Sequence, residues 1–142
     1  MTKQEIFEAI SKNPAFHLAT IDGDYPRVRG MLLYKADENG IIFHTGTFKD
    51  LFNQLTKNNK AELCFNANGV QIRISGELEL VDDNNLKDEI SQHPSRAFLK
   101  PWRESGALSD FYKTFAVFRM KNGVAVTWTM ETNFAPKEGI QL

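Results

Sequence analysis

The sequence predicts a mostly β protein in which antiparallel strands close, or nearly close, into a barrel carrying only short helices. Three observations lead there. Apolar and polar residues alternate over several runs of strand length, tight polar turns separate most of these runs, and the stretches with helical spacing are brief. Closure also removes the exposed edges that many short strands would otherwise leave.

Thr2 and Glu5 form a capping-box pattern, and Ile6, Phe7 and Ile10 follow at helical spacing, so a short amphipathic helix is expected to end near Asn13-Pro14. Residues 15–21 read as a strand, Asp22-Gly23-Asp24 as a hairpin turn and 27–34 as the partner strand. Glu38-Asn39-Gly40 makes the next turn before a strand over 41–45, a meander that sets the second strand beside the third. Residues 47–58 read as a helix capped by Thr47, with Asp50 as the box acid and Phe48, Leu51, Phe52 and Leu55 in one stripe.

Strands over 61–67 and 70–81 flank Asn68-Gly69, the strongest hairpin signal in the chain. The second places Val70, Ile72, Ile74, Leu78 and Leu80 on one face, and Gly76 interrupts that series as a bulge or bend. A helix over 83–92 packs through Leu86 and Ile90, and residues 93–110 mix loop with short helix. A strand over 111–120, the turn Lys121-Asn122-Gly123 and a strand over 124–130 follow, and beyond Glu131 the chain reads as a loose tail. The sum is seven strands in one domain over residues 1–142.

A chain of 142 residues with 42% hydrophobic and 25% charged residues has an ordinary globular balance. Seventeen Lys and Arg against 18 Asp and Glu leave a net charge of −1, which argues against a nucleic-acid surface. Cys64 is the only cysteine, so no intrachain disulfide forms, and it reads as core or half-buried filler. Three histidines at scattered positions show no metal-ligand spacing: His17 reads as a structural histidine in a strand, and His93 as a loop or helix-end residue. No segment has signal-peptide or membrane-span character, and a cytoplasmic location is expected. Trp102 reads as a loop anchor or ligand cover, and the eleven phenylalanines as filling for the barrel and a dimer seam.

Two segments carry chemistry. In Gly40 to Asp50 a strand ends, a glycine lets the chain turn, and a helix begins at a hydroxyl residue. A helix start offers unpaired N–H groups and partial positive charge, and Thr45, Thr47 and Lys49 add donors, so a phosphate would satisfy them together. In the strand before it, alternation puts Arg27, Arg29, Met31 and Leu33 on one face. Two guanidinium groups there call for solvent or an anion between them, and Gly30 would let a planar ring approach the backbone. A domain of this size is expected to complete a site for a large ligand with a partner subunit.

Arg29-Gly30-Met31-Leu32-Leu33, Phe43-His44-Thr45-Gly46-Thr47-Phe48-Lys49 and Gln71-Ile72-Arg73-Ile74-Ser75-Gly76 resemble, in order and setting, the FMN-contact blocks of the pyridoxamine 5'-phosphate oxidase-like split β-barrel superfamily. The resemblance covers residues 12 to 130 and the layout is most similar to the small general-stress members. It implies a homodimer with FMN in the cleft between subunits. It also implies that Arg29 and Lys49 hold the phosphate with Thr47 donating to it, that Met31 and nearby backbone line the flavin, and that His44 and Thr45 lie beside it. Gln71 would reach the ring edge from the partner subunit or the far wall, and Trp128 would pack near the flavin across the dimer.

The oxidases of this family carry a basic residue where Tyr34 stands and an Arg-x-His pair near the C-terminus, and this chain has neither. The resulting expectation is an FMN-dependent oxidoreductase acting on an unidentified small molecule, with reduced nicotinamide as a possible donor and without pyridoxamine 5'-phosphate oxidase activity. The alternatives are a flavin-binding stress or storage protein with little turnover and a relative that binds haem or a deazaflavin.

Overall fold

The protein is described from a computed structural model covering residues 1–105 and 110–142. The N-terminal helix α1 (Lys3–Lys12) starts at the expected capping box: Glu5 N–H donates to Thr2 Oγ1 at 3.1 Å and Thr2 N–H to Glu5 Oε2 at 2.7 Å. Its apolar stripe, Ile6, Phe7 and Ile10, is buried. Strands β1 (Ala15–Asp22) and β2 (Tyr25–Leu32) form a hairpin whose turn uses Gly23 at a φ of 60°.

The strand expected over 27–34 is broken. After Leu32 the chain leaves β2, Leu33 N–H donates to the Pro14 carbonyl and Tyr34 N–H to that of Ile42, and a separate strand β3 (Lys35–Asp37) pairs with β4 (Gly40–Gly46). The sheet order is β2-β1-β5-β6-β7-β4-β3, so β2 and β4 are not the neighbours that a meander would make them. They occupy different halves of a sheet folded on itself.

Strand β5 (Lys60–Ala67) meets β6 (Val70–Leu80) through Asn68 and Gly69, both with positive φ, as the Asn-Gly signal requires. Along its far edge β6 pairs with β8 (Val124–Trp128) from Gln71 to Ser75 and with β7 (Phe115–Met120) from Leu78 to Leu80. The change of partner falls at Gly76, where a Cβ would stand 2.9 Å from Met120 Sδ. Pairing with β5 runs unbroken through that point, so Gly76 makes a bend and not a bulge.

Strands β7 and β8 therefore lie on opposite sides of the bend, and the expected hairpin between them is a crossing between sheet halves. The end of the chain is also more ordered than a loose tail. Strand β9 (Ile140–Gln141) pairs with β8, and Leu142 is buried with its N–H on the Gly123 carbonyl. The described sheet thus has nine strands where the sequence reading had seven.

Among the described residues four α-helices follow α1. Helix α2 (Asp50–Lys57) begins three residues later than expected, and α3 (Asn84–Gln92) is capped by Asp83. A 3₁₀ segment, Pro94–Leu99, leads into α4 (Lys100–Ser105), which bears out loop mixed with short helix, although 106–109 lie outside the described residues. Helix α5 (Phe111–Thr114) replaces the start of the strand expected over 111–120, because the Asp110 carboxylate accepts from Tyr112 N–H and caps one helical turn. Among the described residues no helix is long and apolar enough to cross a membrane.

The main core joins α1 to the sheet through Phe16, Phe43, Phe65 and Phe118, and a second cluster unites Ile90, Leu99, Phe111, Phe115 and Val117. At the β3–β4 turn Gly40 has a φ of 121°, and a Cβ there would stand 2.7 Å from Arg119 Cγ and 3.0 Å from the Met120 carbonyl oxygen. Gly40→Ala is expected to cost about 1–3 kcal/mol of stability through strain and contact. Urea denaturation checks this, and an unchanged midpoint would mean that the turn relaxes freely.

Candidate functional site

A cleft of about 1330 Å3 runs between β2, the end of β4, α2 and the Pro94–Ser105 segment. Of the residues singled out from sequence, Arg27, Arg29, Gly30, Met31, His44, Thr45 and Lys49 line it. Their convergence comes from folding the sheet on itself, since β2 and β4 share no hydrogen bonds.

Arg29 is the best anchored of the cations. Its Nη1 donates to Thr20 Oγ1 at 2.7 Å and to the Leu18 carbonyl at 3.2 Å, and its Nη2 donates to Gln54 Oε1. The Thr20 hydroxyl, itself buried, also donates to Gln54 Oε1 at 2.6 Å. Strand β1, strand β2 and helix α2 are thereby tied to one guanidinium. Burial lowers the pKa of Arg29 from its ordinary value while Asp50 pulls it up, and a guanidinium stays charged in either case.

Arg27 is committed differently. It is exposed, its Nε donates to Asp22 Oδ2 at 3.1 Å, and its guanidinium lies over the Tyr25 ring. Lys49 is the N-cap residue of α2, with an exposed side chain that makes no cap. No described residue accepts from the N–H of Asp50 or Leu51, so the first turn of α2 keeps donors free at the cleft. The Asp50 carboxylate at the same turn opposes an incoming anion.

Thr47 departs from expectation. It neither caps α2 nor lines the cleft, and its N–H donates to the Thr114 carbonyl at 2.9 Å. The turn before α2 is set instead by Gly46, where a Cβ would lie 2.6 Å from the Phe48 ring and 3.0 Å from Trp102. Gly30, by contrast, has open space where a side chain would stand, as close approach of a flat ligand requires.

His44 is held by a residue that sequence reasoning missed. Arg96 is 3% exposed; its Nε donates to His44 Nε2 at 3.0 Å, its Nη2 to the Leu33 carbonyl and its Nη1 to Ser95 Oγ. Accepting at Nε2 puts the imidazole proton on Nδ1. Burial, reinforced by the Arg96 charge, pushes the His44 pKa down to about 4, so the ring is neutral at physiological pH. Gln54 was missed as well, though a polar residue within the Leu51–Leu55 stripe was a usable signal.

Gln71 does not reach this cleft. It lines a neighbouring hollow of about 820 Å3 with His17, Gly30, Met31, Cys64 and Asn66. Trp128 is its cross-strand partner, donates Nε1–H to Asn133 Oδ1 at 2.9 Å and lines neither space. His17, read as a structural histidine, is exposed in that hollow, because alternation along β1 turns it away from the core side of Phe16 and Leu18. Cys64 is half-buried as expected, and burial pushes its thiol pKa up. His93 sits at a helix end, where its Nδ1 accepts from Ser95 N–H. Trp102 both lines the cleft and is anchored, with Nε1–H donating to Thr114 Oγ1 at 3.0 Å.

The folded sheet is a split β-barrel, and residues 2–121 match the family model described as pyridoxamine 5'-phosphate oxidase. The chain belongs to that family. It is 31% identical over 91 residues to a pyridoxine/pyridoxamine 5'-phosphate oxidase from Allorhizobium ampelinum, a match covering 62% of this chain and 44% of the relative. The matched region thus spans less than half the length of that curated relative. A NimC/NimA family protein from Clostridium acetobutylicum superposes with a TM-score of 0.77 at 23% identity, covering 98% of this chain and 92% of the other. A pyridoxamine 5'-phosphate oxidase-related, FMN-binding protein from Nostoc punctiforme superposes with a TM-score of 0.69 at 16% identity, covering 99% and 95%.

The depressed His44 pKa has a stability consequence. Above pH about 6.5 the imidazole is neutral in both the folded and unfolded chain; below it the unfolded chain takes up the proton first, until the folded state follows near pH 4. Stability is therefore expected to fall by up to about 3 kcal/mol across that window from this group. His44→Gln keeps an acceptor for Arg96 and loses the titration, so denaturation midpoints of the variant should vary less with pH there than those of the parent.

Proposed function

We propose that the cleft binds FMN, with the phosphate at Arg29, Lys49 and the first turn of α2, and that the protein is an FMN-dependent oxidoreductase acting as a homodimer. The observation that carries this reading is the meeting of two cations and free helix N–H groups with an open Gly30 backbone in one cleft. A phosphate matches the first set and a flat ring the second. When bound, FMN supplies the two-electron chemistry, and the protein supplies position and charge.

The roles of the chain's own residues follow. Arg29 is held by Thr20 and Gln54 before any ligand arrives, so little ordering is left for binding. Lys49 contributes a mobile charge at the cleft mouth. Thr47 has no part in this reading. Met31 and Gly30 line both the cleft and the hollow containing Gln71, so a ring on this backbone lies between the two. Gln71 and Trp128 do not line the cleft of their own chain, and a second copy is the source this reading assigns to them. Exposed Tyr25 and Val28 on β2 give that copy an apolar surface to cover.

Haem finds less support in the cleft, where His44, the one histidine lining it among the described residues, has its Nε2 engaged by Arg96. The reading leaves out pyridoxamine 5'-phosphate as substrate. Arg27 is paired with Asp22, and Arg29 and Lys49 are assigned to the cofactor, which leaves no spare cation in the cleft apart from Lys57 on the last turn of α2.

Flavin titration tests the site. Arg29→Ala and Lys49→Ala are each expected to weaken FMN binding roughly ten- to hundredfold, the worth of one charge-assisted hydrogen bond, with Arg27→Ala having a smaller effect. Unchanged dissociation constants in both variants would remove the phosphate from this position. Sedimentation at micromolar concentration is expected to give twice the chain mass of 16.2 kDa, and a species of one chain mass would exclude the dimer.

A further inference from the structure

Part of the cleft wall is built from aromatic rings whose purpose the cofactor phosphate does not explain. Phe48 is 52% exposed and Phe98 61%, and both line the cleft with Trp102 and His44. Single exposed phenylalanines are ordinary, but several facing one concavity mark a binding surface.

These rings are held in place. Phe48 folds back over Gly46 to within 5.4 Å of the Trp102 ring centroid, which only a glycine at that position allows. Trp102 is fixed by Thr114 and by an edge contact with Phe115 at 5.4 Å. His44 stacks on Phe115 at 5.0 Å and lies 6.3 Å from Phe98, and buried Arg96 ties the segment bearing Phe98 to His44 and to the Leu33 carbonyl. The wall is thus preorganised, and a flat ligand would meet little ordering cost.

The arginines beside these rings are already paired, and Lys49, which follows Phe48, is assigned to the cofactor phosphate. Arg96 is engaged as described, and Arg103 donates to Asp88 and Ser91 on α3. The wall's own residues, Phe48, Phe98, Trp102 and neutral His44, carry no charge to meet a ligand carboxylate or phosphate. The cleft also exceeds the roughly 300–1,000 Å3 that commonly accommodates one ligand.

We propose that the Phe48–Phe98–Trp102 wall, with His44, is a second subsite that takes a flat, uncharged aromatic molecule of the quinone class beside the cofactor. Its role as the electron partner rests on the FMN reading, but its affinity is measured separately from that of FMN.

The experiment is calorimetric titration of 2-methyl-1,4-naphthoquinone into the protein, alone and with saturating FMN, in parallel with FMN titrations of the same samples. The parent should bind the quinone in both states, and Phe98→Ala and Phe48→Ala should each weaken it about three- to tenfold, as loss of one aromatic contact does, with FMN affinity unchanged. 1,4-Naphthoquinone-2-sulfonate should bind at least tenfold more weakly than the uncharged quinone in the presence of FMN. Equal quinone affinity in parent and variants, equal binding of the sulfonate, or displacement of the quinone by FMN would each overturn the subsite. Failure of FMN to bind while the quinone responds to both substitutions would instead sink the cofactor reading and leave the aromatic subsite standing.

Discussion

Strand β6 has to serve two sheet halves at once, and the geometry of the molecule hangs on how it does so. It pairs continuously with β5 on one edge, while on the other edge it gives its first half to β8 and its second half to β7. A straight strand would hold β7 and β8 in one plane. The bend at Gly76, where Met120 fills the space a side chain would need, turns the sheet back on itself. That turn brings β4, carried by β7, round to face β2, carried by β1 and β5. Without it Arg29 and His44 would belong to different surfaces.

Once the halves face each other, two hydrogen-bond clusters fix the cleft between them. Arg29, Thr20 and Gln54 tie β2 and β1 to α2 on one side, and Arg96, His44 and the Leu33 carbonyl tie the 3₁₀ segment to β4 and to the crossing between β2 and β3 on the other. Each holds a guanidinium, half-buried at Arg29 and buried at Arg96, whose donors are met by uncharged acceptors. The charge of Arg29 therefore stays partly exposed in the cleft, while Arg96 is buried and reinforces the burial that keeps His44 neutral. One cleft thus carries both cations and aromatic rings.

The parts legible in sequence were those whose cause is local. The Thr2–Glu5 box, the Asn68-Gly69 turn and the alternation along β6 need only a few neighbouring residues to act, and the structure agrees at each. Where a distant contact decides, sequence misled. Thr47 has the right residue type to cap a helix, but its N–H is claimed by the Thr114 carbonyl and Phe48 is drawn toward Trp102, so the helix waits until Asp50. The break after Leu32 depends on bonds to Pro14 and Ile42, and the separation of β7 from β8 depends on the bend in β6. Arg96 lies 52 residues from His44 in a segment with no clear periodicity, so nothing local marks it. Asp110 was a usable signal that went unread, since an aspartate before an apolar pair is a cap as readily as a turn.

The proposed cofactor site depends on where a phosphate sits. A crystal structure of the protein grown with FMN tests this most directly. It should show the phosphate oxygens within hydrogen-bond distance of the Arg29 guanidinium and Lys49 Nζ, with the first turn of α2 pointing at them and the ring against the backbone at Gly30. A flavin bound with its phosphate away from both side chains, or density for it only outside the cleft, would contradict the account.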